Sequence, residues 1–254
     1  MKEYKGYLID LDGTMYRGTE KIDAAITFVE RLERKGIPYL YVTNNSTKTP
    51  EKVAEHLQSF GINASADQVF TTSMATANYL YDKKPDCSVY VIGEEGIITA
   101  IQEKGFTITE DKPEAVVIGL DREINYHKLA VACLAVRGGA MFISTNGDIA
   151  LPTERGLLPG NGSLTSVISV STQTDPIFIG KPHSIIVDQA LEKLGLSKEE
   201  TIMVGDNYDT DILAGIHSGL DTLLVHTGVT TKEILAEKNI QPTYVVHSLD
   251  EWEI

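Results

Sequence analysis

Basic residues are scarce in this chain. Twenty-two lysines and arginines stand against 36 aspartates and glutamates, a formal net charge of -14 over 254 residues. Nucleic acid and anionic membranes both demand a basic face, so neither is expected as a partner. Cysteine is nearly absent. Cys87 and Cys133 are the only two, far apart and without a CxxC pair or a neighbouring histidine pattern. That excludes a disulfide scaffold and a zinc site, and leaves two buried free thiols as the expectation. No apolar stretch approaches the ~18 residues of a membrane span. The opening Met1-Lys2-Glu3-Tyr4-Lys5 runs straight into an apolar strand pattern and leaves no room for a signal peptide, so a cytoplasmic protein is expected. Internal repeats and low-complexity segments are also lacking. With 42% hydrophobic and 23% charged residues the composition is that of an ordered globular chain. None of these features fixes an oligomeric state, and a homo-oligomer is compatible with all of them.

Short apolar runs alternate with amphipathic stretches from end to end, the pattern of an α/β protein with a parallel sheet covered by helices. Gly6-Tyr7-Leu8-Ile9 reads as the first strand. After a polar loop, Ile22, Ala25, Ile26, Val29 and Leu32 share one helix face, and Gly36 stops that helix. Ile37 to Val42 is a strand apolar on both sides. Pro50 opens a helix that Gly61 closes, and Asp67 to Thr71 is a further strand. The rhythm restarts near Lys83 with strands at 88–92, 115–119 and 141–144 and helices at 96–104 and 126–137. A long Gly- and Pro-rich loop then spans 146–162, and a helix spans 163–171. A loop of that length usually serves function. After Pro176 strands are expected at 177–179, 201–204, 222–225 and 243–247, with helices between them. The organisation predicted is a Rossmann-like core made from residues 1–80 and 179–254, with an α/β cap inserted at 81–178.

In open parallel sheets ligands bind at the carboxyl ends of strands. Strand one is followed by Asp10-Leu11-Asp12-Gly13-Thr14, two carboxylates two positions apart with a glycine for a sharp turn. Thr43-Asn44-Asn45-Ser46, a cluster of hydroxyl and amide groups, follows strand two. Gly180-Lys181-Pro182 places a cation after the strand leaving the insertion, and Gly205-Asp206-Asn207-Tyr208-Asp209-Thr210-Asp211 brings further carboxylates. Each alone is an ordinary turn or helix cap. Together they put acid, donor, cation and acid at four strand ends. Carboxylates crowded this way repel unless a cation joins them, and Mg2+ suits a site with one or two carboxylates, a carbonyl and room for phosphate. A cation and a local lysine would also let an acidic protein accept an anionic substrate.

These residues, Asp10 to Thr14, Thr43, Lys181, and Gly205-Asp206 with Asp211, resemble the four motifs of the haloacid dehalogenase (HAD) superfamily, and the likeness runs the whole chain. The middle block, with Thr145-Asn146-Gly147-Asp148, Pro152 and Pro159-Gly160-Asn161-Gly162-Ser163, is similar to the large α/β cap of the NagD-like and p-nitrophenyl phosphatase branch. The resemblance implies a magnesium-dependent hydrolase of small phosphomonoesters, such as sugar phosphates or nucleoside monophosphates, working through an aspartyl-phosphate on Asp10. Asp10 would be nucleophile and Asp12 the general acid and base. Thr43, Asn44 and Lys181 would bind the transferring group, with Asn45 among the substrate contacts. Asp10, the Asp12 carbonyl, Asp206 and Asp211 would hold the metal, Asp211 directly or through water. Asn146 and Asp148 read either as turn formers or as substrate contacts, and the resemblance favours contacts.

Of the six histidines, His56, His127, His217, His226 and His247 sit alone in helix or strand patterns, while His183 lies beside Lys181-Pro182 near the expected site. Trp252 is expected to cover the core edge. The rival reading from another class is a receiver-like phosphoacceptor that is not an enzyme, which also sets acids, a threonine and a lysine at strand ends. Such domains are about half this length and carry no cap. A dinucleotide-binding enzyme would need a GxGxxG after the first strand, and none is there.

Overall fold

The computed structural model describes residues 2–153 and 155–254. The chain packs as two compact units, the first from residues up to Thr43, Glu51–Phe70 and Lys181–Ile254, the second from Asn44–Pro50 and Thr71–Gly180.

The first unit is built on a six-stranded sheet ordered Tyr244–Val246, Asp221–Val225, Thr201–Gly205, Gly6–Ile9, Tyr39–Thr43, Val69–Thr71. The first four pairings in that order are all parallel. Gly6–Ile9 and Thr201–Gly205 are buried along their whole length, as their uninterrupted apolar runs require. The chain steps outward from Gly6–Ile9 to one edge and later resumes on its other side with Thr201–Gly205. The order therefore reverses between these two neighbours, where an open sheet leaves a crevice at its carboxyl ends. The helix Asp23–Lys35 carries Asp23 in its first turn and Arg34 and Lys35 in its last, matching its dipole, and Gly36 at φ 67° ends it. Its Phe28 and Leu32 pack against Tyr7 and Ile9. Trp252, 1% exposed, closes this core and donates from Nε1 to Tyr7 Oη at 3.2 Å.

The second unit has its own five-stranded parallel sheet, ordered Ile177–Phe178, Met141–Ser144, Ala115–Ile118, Ser88–Ile92, Thr107–Ile108. Here the order reverses between Ser88–Ile92 and Ala115–Ile118.

Several elements differ from the sequence pattern. Ile177–Phe178 pairs with Met141–Ser144, so Lys181 follows a strand of the second sheet and not of the sheet that carries Asp10 and Asp206. A two-residue strand has too little apolar length to reveal which sheet it joins. The long loop expected over 146–162 contains an antiparallel hairpin, Ala150–Thr153 with Gly156–Pro159, and the helix after it begins at Asn161; Glu154 lies outside the described residues. Helix Thr72–Lys83 went unassigned because Thr72, Ser73, Ala75, Thr76 and Ala77 are small and buried on more than one side, which erases the helical stripe. The polar stretch after the first strand folds into a short hairpin, Tyr16–Arg17 with Glu20–Lys21. The joins expected at 80/81 and 178/179 compare with crossings at Thr43–Asn44, Pro50–Glu51, Phe70–Thr71 and Gly180–Lys181. Cys87 is buried as expected, while Cys133 is only half-buried.

Candidate active site

At the switch point of the first unit, Ile9 lies opposite Val204, and the Asp10 N–H donates to Val204 O at 2.9 Å. Asp10, which follows Ile9, and Asp206, the first residue after strand Thr201–Gly205, are thereby brought side by side. Asp211 joins them from a short π-helical turn, Tyr208–Ile212, that follows strand Thr201–Gly205. Its carboxylate accepts from the Asn207 N–H at 3.0 Å and fills the space left by the missing side chain of Gly205, where a Cβ would collide with it. One oxygen from each of Asp10, Asp206 and Asp211 lies within 4.8 Å of the others, and no histidine takes part. Single-turn π segments often mark such functional positions.

Lys181 is the countercharge. Its Nζ donates to Asp10 Oδ1 at 2.5 Å and to Val42 O at 2.9 Å, and it pairs with Asp211 Oδ1 at 2.8 Å. These contacts use all three ammonium protons. The side chain is 2% exposed, so the long apolar stem is packed and the charge cannot wander.

The Asp10 loop turns at Gly13, whose φ of 92° and lack of a Cβ let it pass against the Asp206 carboxylate. The turn closes with Gly13 N–H to Tyr16 O and Met15 N–H to Leu11 O, both 2.7 Å. Asp12 points outward from this turn. Its side chain is exposed, and Oδ1 accepts from the Gly18 N–H at a long 3.4 Å. Thr43 is buried at the end of its strand.

Two contributors escaped the sequence reading as site residues. Thr14 Oγ1 reaches Asp206 Oδ1 at 3.2 Å and Asp10 Oδ2 at 3.4 Å, a hydroxyl lodged between two carboxylates. The Val229 N–H donates to Asp206 Oδ2 at 2.6 Å, and Gly228 beside it passes so close that a Cβ would strike Asp206. Thr227-Gly228-Val229 follows Asp221–Val225, one more strand of the same sheet. The strand-end rule that found the other motifs would have found this one.

Burial, and then the charge of Asp211, push the Asp10 carboxyl well above the usual carboxylate range, with Lys181 pulling the other way. The same two causes, in the same order, raise Asp206 to about 7. Burial would depress the Lys181 ammonium, but Asp10 and Asp211 outweigh it and hold the group protonated. Three carboxylates thus face one ammonium, and the site is short of positive charge. An all-oxygen donor set with that deficit fits a hard divalent cation.

The remaining expected site residues, Asn44, Asn45, Asn146 and Asp148, belong to the second unit, where Asn44, Asn146 and Asp148 bind one another. Asn44 Nδ2 donates to both Asp148 oxygens at 3.2 and 3.3 Å, and Asn146 Nδ2 donates to Asn44 O at 2.8 Å. Asn45 Oδ1 accepts from the backbone of Thr47 and Lys48 at 2.9 and 3.0 Å, which folds its own loop. His183 sits just before helix Ser184–Leu194, pulled below the usual histidine range by burial and by His217.

Residues 7–107 match the model of the haloacid dehalogenase-like hydrolases, and residues 178–252 match a second, HAD-hydrolase-like model. The chain is 63% identical to the 5'-nucleotidase YutF of Bacillus subtilis, with 99% of this chain and 98% of that protein covered. The chain belongs to the haloacid dehalogenase-like hydrolases. Another member, the acid sugar phosphatase of Staphylococcus aureus, is 56% identical over 99% of this chain and 97% of its own. Among solved members, a variant of the thermostable p-nitrophenylphosphatase from Bacillus stearothermophilus superposes with a TM-score of 0.91 at 64% identity, covering 100% of this chain and 99% of that one. The likeness extends over both units of this hydrolase, as expected for the p-nitrophenyl phosphatase branch.

Proposed function

We propose that this enzyme is a phosphoric monoester hydrolase that acts on small phosphomonoesters in two steps, through an aspartyl-phosphate, an acyl phosphate, on Asp10. The observation that carries the reading is the buried carboxylate cluster of Asp10, Asp206 and Asp211 gripped by Lys181 at the sheet's switch point. The sugar phosphates and nucleotides named for its relatives are the substrate classes to test first.

In the first step an Asp10 oxygen attacks phosphorus and the bond from phosphorus to the leaving oxygen breaks, while Asp12 gives that oxygen a proton. The exposed position of Asp12 suits a group that must reach the leaving oxygen and later a water. In the second step water attacks the phosphorus of the acyl phosphate and Asp12 takes its proton. Inorganic phosphate then leaves and the Asp10 carboxylate is restored. Lys181 fixes the attacking carboxylate and supplies positive charge where two anions must meet. Thr43 and Asn44, consecutive at the end of strand Tyr39–Thr43, bind the transferring phosphoryl oxygens. Asp10, Asp206, Asp211 and the Asp12 carbonyl would hold Mg2+, which when bound supplies the positive charge that the cluster lacks. No helix among the described residues is long and apolar enough to cross a membrane.

A panel of phosphorylated metabolites with purified protein and Mg2+, ranked by kcat/KM, tests this. Turnover of several monoesters that collapses with chelator and with Asp10→Asn is expected. Full turnover in excess chelator would remove the metal's role, and full turnover by Asp10→Asn would remove the covalent mechanism.

A further inference from the structure

Beyond strand Asp221–Val225, the segment Thr227-Gly228-Val229 lies across two loops of the first unit at once. On one side the Thr227 hydroxyl donates to Gly13 O at 2.6 Å. On the other the Val229 N–H donates to Asp206 Oδ2 at 2.6 Å and the Thr230 N–H to Asp206 O at 3.1 Å. Gly228 seats the segment between the two loops: a Cβ there would stand 1.9 Å from Asp206 Oδ2 and 2.8 Å from the Gly13 Cα. Thr227 is itself braced from the hairpin. Arg17 donates to Thr227 O from Nε at 2.9 Å and also from Nη2, and its neighbour Gly18 supplies the N–H that reaches Asp12 Oδ1.

Asp12 stands among these ties as an exposed carboxylate followed at once by a glycine. Glycine has the widest backbone freedom, so Gly13 is the place where the turn could swing and carry Asp12 with it. The peptide plane ahead of Gly13 is fixed by its N–H on Tyr16 O at 2.7 Å, and the plane behind it by the Thr227 hydroxyl on its carbonyl. We infer that Thr227 is a positioning residue for Asp12: it holds the turn so that the carboxylate meets the leaving oxygen and the attacking water, and it does not touch substrate. The inference rests on the reading of Asp12 as general acid and base. Proton transfer needs hydrogen-bond reach, and a misplacement of about 1 Å can cost on the order of 100-fold in rate. A buried acid is aimed by its packing, whereas an exposed one depends on its backbone. The hydroxyl has a single proton, and that proton is given to Gly13 O, so Thr227 has nothing to donate to an anionic phosphoryl group.

Two leaving groups separate aiming from binding, with the enzyme in magnesium buffer. p-Nitrophenyl phosphate releases a stable phenolate and needs little acid help, while glycerol 2-phosphate releases an alkoxide that must take a proton from Asp12. Thr227→Val keeps the shape and removes the hydroxyl. It should lower kcat/KM for glycerol 2-phosphate by about tenfold, the loss of roughly one good hydrogen bond, and for p-nitrophenyl phosphate by less than about threefold. The inhibition constant of inorganic phosphate should stay within about twofold of the parent, because no contact to the phosphoryl group is removed. Thr227→Ser restores the hydroxyl and should bring glycerol 2-phosphate back to within about threefold of the parent; Thr227→Ala carries the series if valine does not fold. In an Asp12→Asn background Thr227→Val should change glycerol 2-phosphate turnover by less than about twofold, since no acid is left to aim. Equal losses with both esters, a raised inhibition constant for phosphate, or additive losses in the double variant would make Thr227 a support of the Asp206 cluster or of phosphoryl binding and overturn the inference. Asp12→Asn alone keeps the two readings apart. If it discriminates between the esters and Thr227→Val does not, the inference fails and the role of Asp12 stands. If Asp12→Asn slows both esters alike, Asp12 is not the acid and both readings fall.

Discussion

Each unit of this enzyme contains a parallel sheet whose strand order reverses once, and the residues beyond the two reversals differ in how their charge is matched. In the first unit Ile9 and Gly205 lead to Asp10 and Asp206, buried beside Asp211, and among the described residues Lys181 alone pairs with these three carboxylates. In the second unit Ile92 and Ile118 lead to Glu94 and Asp121. There Glu94 pairs with Arg122 at 2.7 Å, and Asp121 pairs with Lys128 at 2.7 Å and accepts from the Glu123 N–H at 2.8 Å. The backbone frames are alike, yet the charges at one end are matched and those at the other are not. A fold offers a crevice, and the unmatched buried charge makes it reactive.

Removing the single countercharge should break the contrast most severely. Lys181→Met leaves Asp10 and Asp211 buried without their partner and should lower kcat/KM by roughly 1,000-fold or more. It should also cost about 3–5 kcal/mol of stability in urea unfolding. Activity within tenfold of the parent would show that Lys181 is only structural.

The first unit should next betray itself in the pH dependence of stability without metal. Asp206 titrates at about 7 in the folded chain, against an ordinary value of 3.8. Between those values the folded state binds the extra proton, so Asp206 makes stability fall as pH rises from about 4 to about 7. The loss should be on the order of a few kcal/mol, and saturating Mg2+ should cancel it because the cation favours the ionised carboxylates. A stability curve that is flat over this range in chelator would contradict the raised Asp206.

The matched unit should respond differently. Lys128→Met strands the 3% exposed Asp121 side chain and should cost about 1–3 kcal/mol, with kcat for p-nitrophenyl phosphate changed by less than about threefold. Smallest of all, Glu94→Gln loosens an ion pair whose Arg122 side chain is 60% exposed and should shift stability by less than about 1 kcal/mol. Comparable losses of turnover from these changes would erase the distinction between the units.

Much of the first unit could be read in the sequence, because Gly6–Ile9, Tyr39–Thr43 and Thr201–Gly205 are buried apolar runs and the acids stand directly after two of them. The approach of Asp211 was readable too, from the polar run after Gly205. What escaped has a physical reason in each case. Thr14 is a small hydroxyl whose role depends on Asp206, 192 positions away. Val229 contributes a backbone N–H, which leaves no mark in residue type, so only its place after strand Asp221–Val225 could have pointed to it. The strand before Lys181 is two residues long, too short to declare its sheet. The pairing of Asn44 with Asp148 spans 104 positions and joins side chains that read equally well as turn formers.

The central claim is that Asp10 forms a covalent bond to phosphorus and that Asp12 releases it. Asp12→Asn should be mixed with p-nitrophenyl phosphate, whose leaving group needs little acid help, and quenched rapidly for mass spectrometry of the peptide that contains Asp10. A burst of nitrophenolate equal to the enzyme, a slow steady state and one phosphoryl group on Asp10 are expected, because the acyl phosphate forms but lacks its general base. If the variant binds Mg2+ normally yet shows neither burst nor adduct, the two-step mechanism through Asp10 and Asp12 is wrong.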